Sequence, residues 1–298
     1  MADLILVTVA DGAADASVPL LFADDLAAVR GDGIFETLLV RDGRPCGVGR
    51  HLDRLARSAA IIELPAPDRD AFAVAVETAA RLWTEQHGTV AEGLLRVVYS
   101  RGREADPAST HEPAKATAYV TVGPVAPRAV QARVSGVSVI TLDRGYSIDL
   151  APSAPWALLG AKTLSYATNM AALRHAAGLG YDDVIYLSSE GVVLEGPRST
   201  VVAVTGKTLV TPPTEAGILP GTTQQALFEF AEAQGWQTKS ETLLTEDLIA
   251  ADSVWMVSSV TLAARVRRIN SYEFDDDQAG GRELIDLAGL VNQAIAAD

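Results

Sequence analysis

"GAKTLSYATNM" occupies residues 160–170, and its one charged residue is Lys162. No acidic residue lies within ten positions on either side to pair with it. The plain reading is a lysine whose stem packs on apolar surface while its ammonium reaches water. The sharper reading is that partial desolvation lowers the pKa of the amine and makes it a nucleophile. The chain holds only four lysines against 20 arginines. Lys115 follows "HEP" in a loop context, Lys207 sits in the turn-like "TGKT", and Lys239 lies in the polar "QTKSET". If the chain is a lysine enzyme, Lys162 is the candidate.

Working outward, 298 residues with 48% hydrophobic content suffice for a large core and suggest two domains. The formal charge of −14 disfavours nucleic acid or an anionic membrane as partner. No apolar run has the length of a membrane span. "MADLILVTVADG" lacks a basic region before its apolar run and reads as a first strand rather than a signal peptide. The single cysteine, Cys46, excludes an internal disulfide and fits a reducing cytoplasm.

Strands are expected at 4–9, 34–40, 93–102, 115–125 and 136–142, with a further strand-like run "GRPCGV" around an "RDG" turn after 34–40, and helices at 49–64 and 68–88. A polar loop is expected between the third and fourth strands. The prolines of "GPVAPRAVQAR" mark a linker at 126–132, dividing an N-terminal α/β domain (1–125) from a C-terminal domain (133–298). There a helix is expected over 162–180, then hairpins from 182 to 213, a helix over 222–235, strands at 238–244 and 253–260, and a closing helix over 281–297. The pattern is mixed α+β rather than a repeating βαβ series.

Several chemistries have no foothold. The four histidines show no metal-ligand spacing, so no metal is expected. No G-x-S-x-G elbow, dinucleotide fingerprint or P-loop occurs. Other residues are individually ambiguous. "GILPGTTQQAL" places Thr222 and Thr223 at a helix start, which is either ordinary capping or an anion site built on free N–H groups and the helix dipole. Arg54 in "HLDRL" is either a solvated helix arginine or an anion ligand. Glu195 in "VVLEGPRST" is either a turn carboxylate or a functional one, and "MVSSVT" ends a strand in Ser258 and Ser259. Together they match what pyridoxal phosphate needs: an amine, a carboxylate for the pyridine nitrogen, and an arginine with a helix N-terminus for the phosphate.

The ordered set "RGDGIFETLLVRDGRP", "RHLDRL", "LLRVVYSRG", "GAKTLSYATNM", "DDVIYLSSEGVVLEGPRSTVVAV", "GILPGTT" and "VSSVT" resembles the class IV (fold type IV) pyridoxal-phosphate enzymes over nearly the whole chain. Within that family it is most similar to aminodeoxychorismate lyase and D-amino-acid aminotransferase. The resemblance implies a two-domain α+β fold of the D-amino-acid aminotransferase type with the cofactor between the domains. It also implies a homodimer whose sites sit at the subunit interface. By resemblance, Lys162 is the Schiff-base lysine and proton-transfer base, and Glu195 partners the pyridine nitrogen. Arg54, Thr222, Thr223 and Ser259 hold the phosphate. Phe35 faces the substrate, and Asn169 matches a family pattern. Arg101, Arg103 and His111 are candidates for the substrate carboxylate. "EGPRST" departs from the family's usual "EGSSSN": Pro197 removes a donor and Thr200 replaces an asparagine. The implied activity is conversion of 4-amino-4-deoxychorismate to 4-aminobenzoate and pyruvate. D-amino-acid transamination is the alternative, followed by branched-chain transamination. The substrate is a small amine, and the expected location is the cytoplasm.

Overall fold

The computed structural model describes residues 4–104, 116–274 and 286–298. The chain divides into two compact units, one of residues 1–125 and 161–166, the other of residues 126–160 and 167–298.

The first unit is a six-stranded sheet with helices. Its strands are β1 (Ile5–Thr8), β2 (Gly12–Ala14), β3 (Gly33–Arg41), β4 (Arg44–Pro45), β5 (Gly93–Ser100) and β6 (Thr117–Pro124), in the order β2-β1-β6-β5-β3-β4. All neighbours are antiparallel. Tight turns join β1 to β2 and β3 to β4 and fix those two pairs as antiparallel, since a parallel pair needs a long crossover. The helices are α1 (Leu26–Arg30), α2 (Val48–Ile61) and α3 (Arg69–His87). Asp68 caps α3 by accepting from Ala71 N at 3.0 Å, and the helix buries Phe72, Ala75, Val76, Ala79, Ala80 and Trp83. That spacing is an apolar stripe at i, i+3, i+4 and i+7. In α2 the buried face holds Leu52, Leu55 and Ala59, but also His51, Arg54 and Ser58. Three polar residues on a buried face demand internal partners.

The second unit holds an eight-stranded sheet, ordered β11-β10-β9-β12-β13-β7-β8 with β14 on β13. The strands are β7 (Val137–Asp143), β8 (Asp183–Leu187), β9 (Thr200–Thr205), β10 (Thr208–Thr211), β11 (Gln237–Ser240), β12 (Ser253–Ser258), β13 (Leu262–Ile269) and β14 (Tyr272–Glu273). The helices are α4 (Pro127–Ser135), α5 (Leu150–Ser153), α6 (Ala167–Gly178), α7 (Thr222–Ala233), α8 (Thr245–Ala250) and α9 (Leu287–Ala297). The central strands β9 and β12 read "TVVAVT" and "SVWMVS" and are almost wholly buried. Such continuous apolar runs mark strands covered on both faces. Val139, Ile185, Val193, Val201, Val254 and Val266, all fully buried, form the centre of the core.

Three expectations need correction. The linker at 126–132 is instead the start of a helix, because Pro127 stands in its first turn, where a missing N–H costs nothing. The helix over 162–180 begins only at Ala167, and Lys162 lies in an irregular segment before it. The long strand β13 was not anticipated, since "LAARVRRI" mixes arginines with apolar residues and blurs the alternation.

Candidate active site

In the first unit, Lys162 is fixed by its backbone. Its N–H donates to Ser58 Oγ on α2 at 3.1 Å, and its carbonyl accepts from Phe35 N on β3 at 3.0 Å. Leu164 N donates to Gly33 O at 2.8 Å, so residues 162–164 run against the start of β3. Residue 33 must be glycine: a Cβ there would lie 2.7 Å from Leu164 Cδ1 and 2.8 Å from Ser100 Cβ. The lysine Nζ stands 4.6 Å from the centroid of the Phe35 ring, within cation–π range. Tyr166 meets the same ring edge-on at 5.4 Å.

Beneath this lies a charged cluster. Glu36 is fully buried, and Arg54 and His51 are 5% and 3% exposed. Glu36 Oε1 accepts from Arg54 Nε at 2.8 Å and Oε2 from Arg54 Nη2 at 2.6 Å, a bidentate pair. His51 Nδ1 is 2.7 Å from the same Oε2. Burial pushes the Glu36 carboxyl up, but the Arg54 charge and the hydrogen bonds from Arg54 and His51 outweigh it and hold the group ionised, well below the usual carboxylate range. Burial pushes His51 below its ordinary value, against the opposing pull of Glu36. A carboxylate only accepts, so the neutral imidazole carries its proton on Nδ1 and donates it. Glu36 was not anticipated. The signal was there, since "IFETLLV" places one carboxylate at a core position of a buried strand.

Arg101 donates from Nε to Asp32 Oδ2 at 2.7 Å and from Nη2 to the Ile62 carbonyl at 2.8 Å, closing the end of α2. Arg103 pairs with Asp24 at 2.8 Å and lies over the Phe22 ring at 4.4 Å. Both guanidinium groups are thus engaged by carboxylates of their own unit. His111 lies outside the described residues. A different arginine accompanies Phe35. Arg96 pairs in register with Thr37, and Tyr119 with Val98, which places Arg96, Tyr119 and Phe35 on one sheet face. The Arg96 guanidinium is 5.8 Å from the Phe35 centroid and forms no ion pair among the described residues.

In the second unit, Glu195 follows the β8 turn. Its carbonyl accepts from Tyr186 N at 2.9 Å, and its Oε2 accepts from Leu219 N at 3.2 Å. Tyr146 is pushed up to about 12, chiefly by burial and also by the Glu195 charge. Arg144 lies over the Tyr186 ring at 4.6 Å. Asn169 Nδ2 donates to the Pro197 carbonyl at 3.0 Å and its Oδ1 accepts from Tyr186 OH at 3.3 Å. The loop after Glu195 is thereby tied to the first turn of α6, and Pro197, which has no donor to give, serves as acceptor. Thr200 is buried as the first residue of β9. The helix α7 begins at Thr222 with Gly221 as N-cap and no capping side chain. A Cβ at Gly221 would collide with Thr200 Oγ1, so only glycine lets the chain pass there. Thr222 Oγ1 lies 3.2 Å from Ser259 Oγ, and Thr223 Oγ1 donates to the same oxygen at 3.4 Å. Both threonines are buried. The result is a helix N-terminus lined with three hydroxyls, a neutral cradle for an anion.

Residues 33–269 match the model of the family described as amino-transferase class IV. The chain belongs to the class IV aminotransferases. A curated member from Mycobacterium tuberculosis, a bifunctional aminodeoxychorismate lyase / D-amino acid transaminase, is 53% identical over 260 residues, 85% of this chain and 87% of the relative. A solved structure of a hypothetical aminotransferase from the same organism, in its PLP-bound form, is 49% identical with a TM-score of 0.92, covering 99% and 100% of the two chains. A fold IV transaminase from Curtobacterium pusillum is 38% identical with a TM-score of 0.88, covering 99% and 98%. The fold is therefore fold type IV, and this class IV chain is an enzyme of the aminotransferase/lyase group. Among the described residues no helix is long and apolar enough to cross a membrane, and no cluster of metal-binding side chains occurs.

Proposed function

We propose that the chain is a pyridoxal 5'-phosphate enzyme that converts 4-amino-4-deoxychorismate to 4-aminobenzoate and pyruvate, with D-amino-acid transamination as a second activity. The observation that carries this reading is the 53% identity, across most of both chains, to a relative named for both reactions.

The residues fit the cofactor. A half-buried lysine beside aromatic rings supplies the amine, Glu195 supplies a carboxylate fixed by a backbone N–H, and the α7 N-terminus with its hydroxyls suits a phosphate. Bound, the cofactor supplies an electron sink for the pair left when a carbon beside an amine loses its proton. Lys162 would hold the cofactor through Nζ, and its amine is the group that would take that proton. Glu195 keeps the pyridine nitrogen protonated. Arg54, Thr222, Thr223 and Ser259 bind the phosphate and fix the ring's position. Phe35 packs against the substrate, and Arg96 is better placed than Arg101 or Arg103 to meet its carboxylate, because those two are held by Asp32 and Asp24.

Lysis breaks the enolpyruvyl C–O bond, and the ring regains aromaticity, so the protein's task is positioning and proton traffic. Transamination uses the same proton removal with reprotonation elsewhere, and needs a keto acid to recover the starting form. The working form is a cytoplasmic homodimer, as the family resemblance implies. The test is a side-by-side assay. 4-Aminobenzoate should form from aminodeoxychorismate with no added keto acid, and faster than D-alanine reacts with 2-oxoglutarate. The reverse order of rates makes transamination the principal activity.

A further inference from the structure

A buried carboxylate on β3 has no direct part in that chemistry, yet it holds both oxygens against residues of α2. We propose that Glu36 is a positioning residue for cofactor binding: with His51 as second anchor, it fixes the plane of the Arg54 guanidinium so that a phosphate meets a preset donor. The inference rests on the reading of Arg54 as a phosphate ligand.

The geometry carries it in three steps. Arg54 gives one edge of its fork, Nε and Nη2, to the two oxygens of Glu36. A planar group held at two points on one edge cannot rotate, so its remaining N–H bonds point in one direction. Second, the carboxylate is itself held, because His51 Nδ1 donates to the oxygen that Nη2 also uses. Third, the clamp shares its supports with Lys162. His51, Arg54 and Ser58 lie on one stripe of α2, and Ser58 Oγ accepts from Lys162 N. Phe35, next to Glu36, donates its N–H to the Lys162 carbonyl. Ordering Arg54 before the phosphate arrives removes a cost that binding otherwise bears.

The full-length protein, freed of cofactor, is titrated by absorbance with pyridoxal 5'-phosphate and, separately, with pyridoxal, which lacks the phosphate. Glu36→Asp keeps the charge but is one methylene shorter, so from the same backbone position its carboxylate cannot reach both nitrogens. It should weaken pyridoxal 5'-phosphate binding roughly 10- to 100-fold, the range seen when the partner orienting a metal-binding side chain is removed. Pyridoxal affinity should stay at the wild-type value. Equal losses for both ligands, or none, overturn the proposal. His51→Ala should reproduce the phosphate-specific loss in smaller measure, and His51→Asn, whose amide nitrogen takes the place of Nδ1, should restore it. If Glu36→Asp does not fold, this pair decides: a loss that Asn fails to restore counts against the clamp. Arg54→Gln separates the two claims. If it keeps the wild-type preference for the phosphorylated ligand, Arg54 does not bind phosphate and the underlying reading fails. If it loses that preference while Glu36→Asp keeps it, only the role of Glu36 is lost.

Discussion

The charged cluster of the first unit and the hydroxyl cluster of the second are built in opposite ways. Glu36, His51 and Arg54 are charged or ionisable groups buried together, two of them in a bidentate ion pair. Thr222, Thr223 and Ser259 are neutral hydroxyls at the start of a 12-residue helix, where the dipole supplies a partial positive charge. Buried ions are costly to separate and rigid when paired. Neutral donors cost less to bury, and losing one removes a single modest hydrogen bond.

That contrast is open to test, beginning with its largest expected effect. Lys162→Ala should reduce turnover by about 10⁴-fold or more, as expected when a covalent anchor and a proton-transfer base are removed together. Borohydride reduction and peptide mapping of the wild type should find the cofactor on Lys162. Label on Lys207 or Lys239 would sink this assignment.

Glu36→Gln should destabilise the fold by about 3–5 kcal/mol, because Arg54 is left buried without its counter-charge. Denaturant midpoints check it. The same pair predicts an acid limb. The folded-state pKa of Glu36 lies below its ordinary 4.5, so its contribution is fully present above that pH and is lost as pH falls further. His51 is also depressed, below its ordinary 6.5, so the unfolded state takes up a proton there first and stability declines as pH drops through that value. Wild type and Glu36→Gln should converge in stability as pH falls below 4.5. A constant gap would show that the pair is not held by ionisation.

Glu195→Gln should retain cofactor and lose turnover by about 10²-fold, the scale of a preorganised electrostatic group. Steady-state kinetics with cofactor content measured in parallel distinguish this from loss of binding. The smallest effect belongs to the cradle. Thr223→Val, nearly the same shape, should cost about 1 kcal/mol of stability. A loss as large as that of Glu36→Gln would erase the distinction between the two regions.

The ordered motifs made family and fold legible because each reflects a local requirement. Gly33 and Gly221 stand where a Cβ has no room, and Thr222 opens a helix. Lys162 stood out by composition, as a lone charge in an apolar run. Local order also explains the error at Pro127: proline excludes a helix interior but favours a helix start, and the sequence does not say which position it will hold.

What the sequence by itself determined is the inventory: an amine at Lys162, a carboxylate at Glu195, an arginine at Arg54 and hydroxyls at a helix start. What only the tertiary structure decided is how those groups are held and which arginines are already engaged. Arg101 and Arg103 look as available in the sequence as Arg96, yet Asp32 and Asp24 hold them, while Arg96 shares a sheet face with Phe35. Glu36 meets Arg54 across 18 positions, and Ser58 meets Lys162 across 104. Hydrogen bonds between residues so far apart follow from strand register and helix docking. Those are set by the burial of the whole core, so no local stretch of sequence carries them.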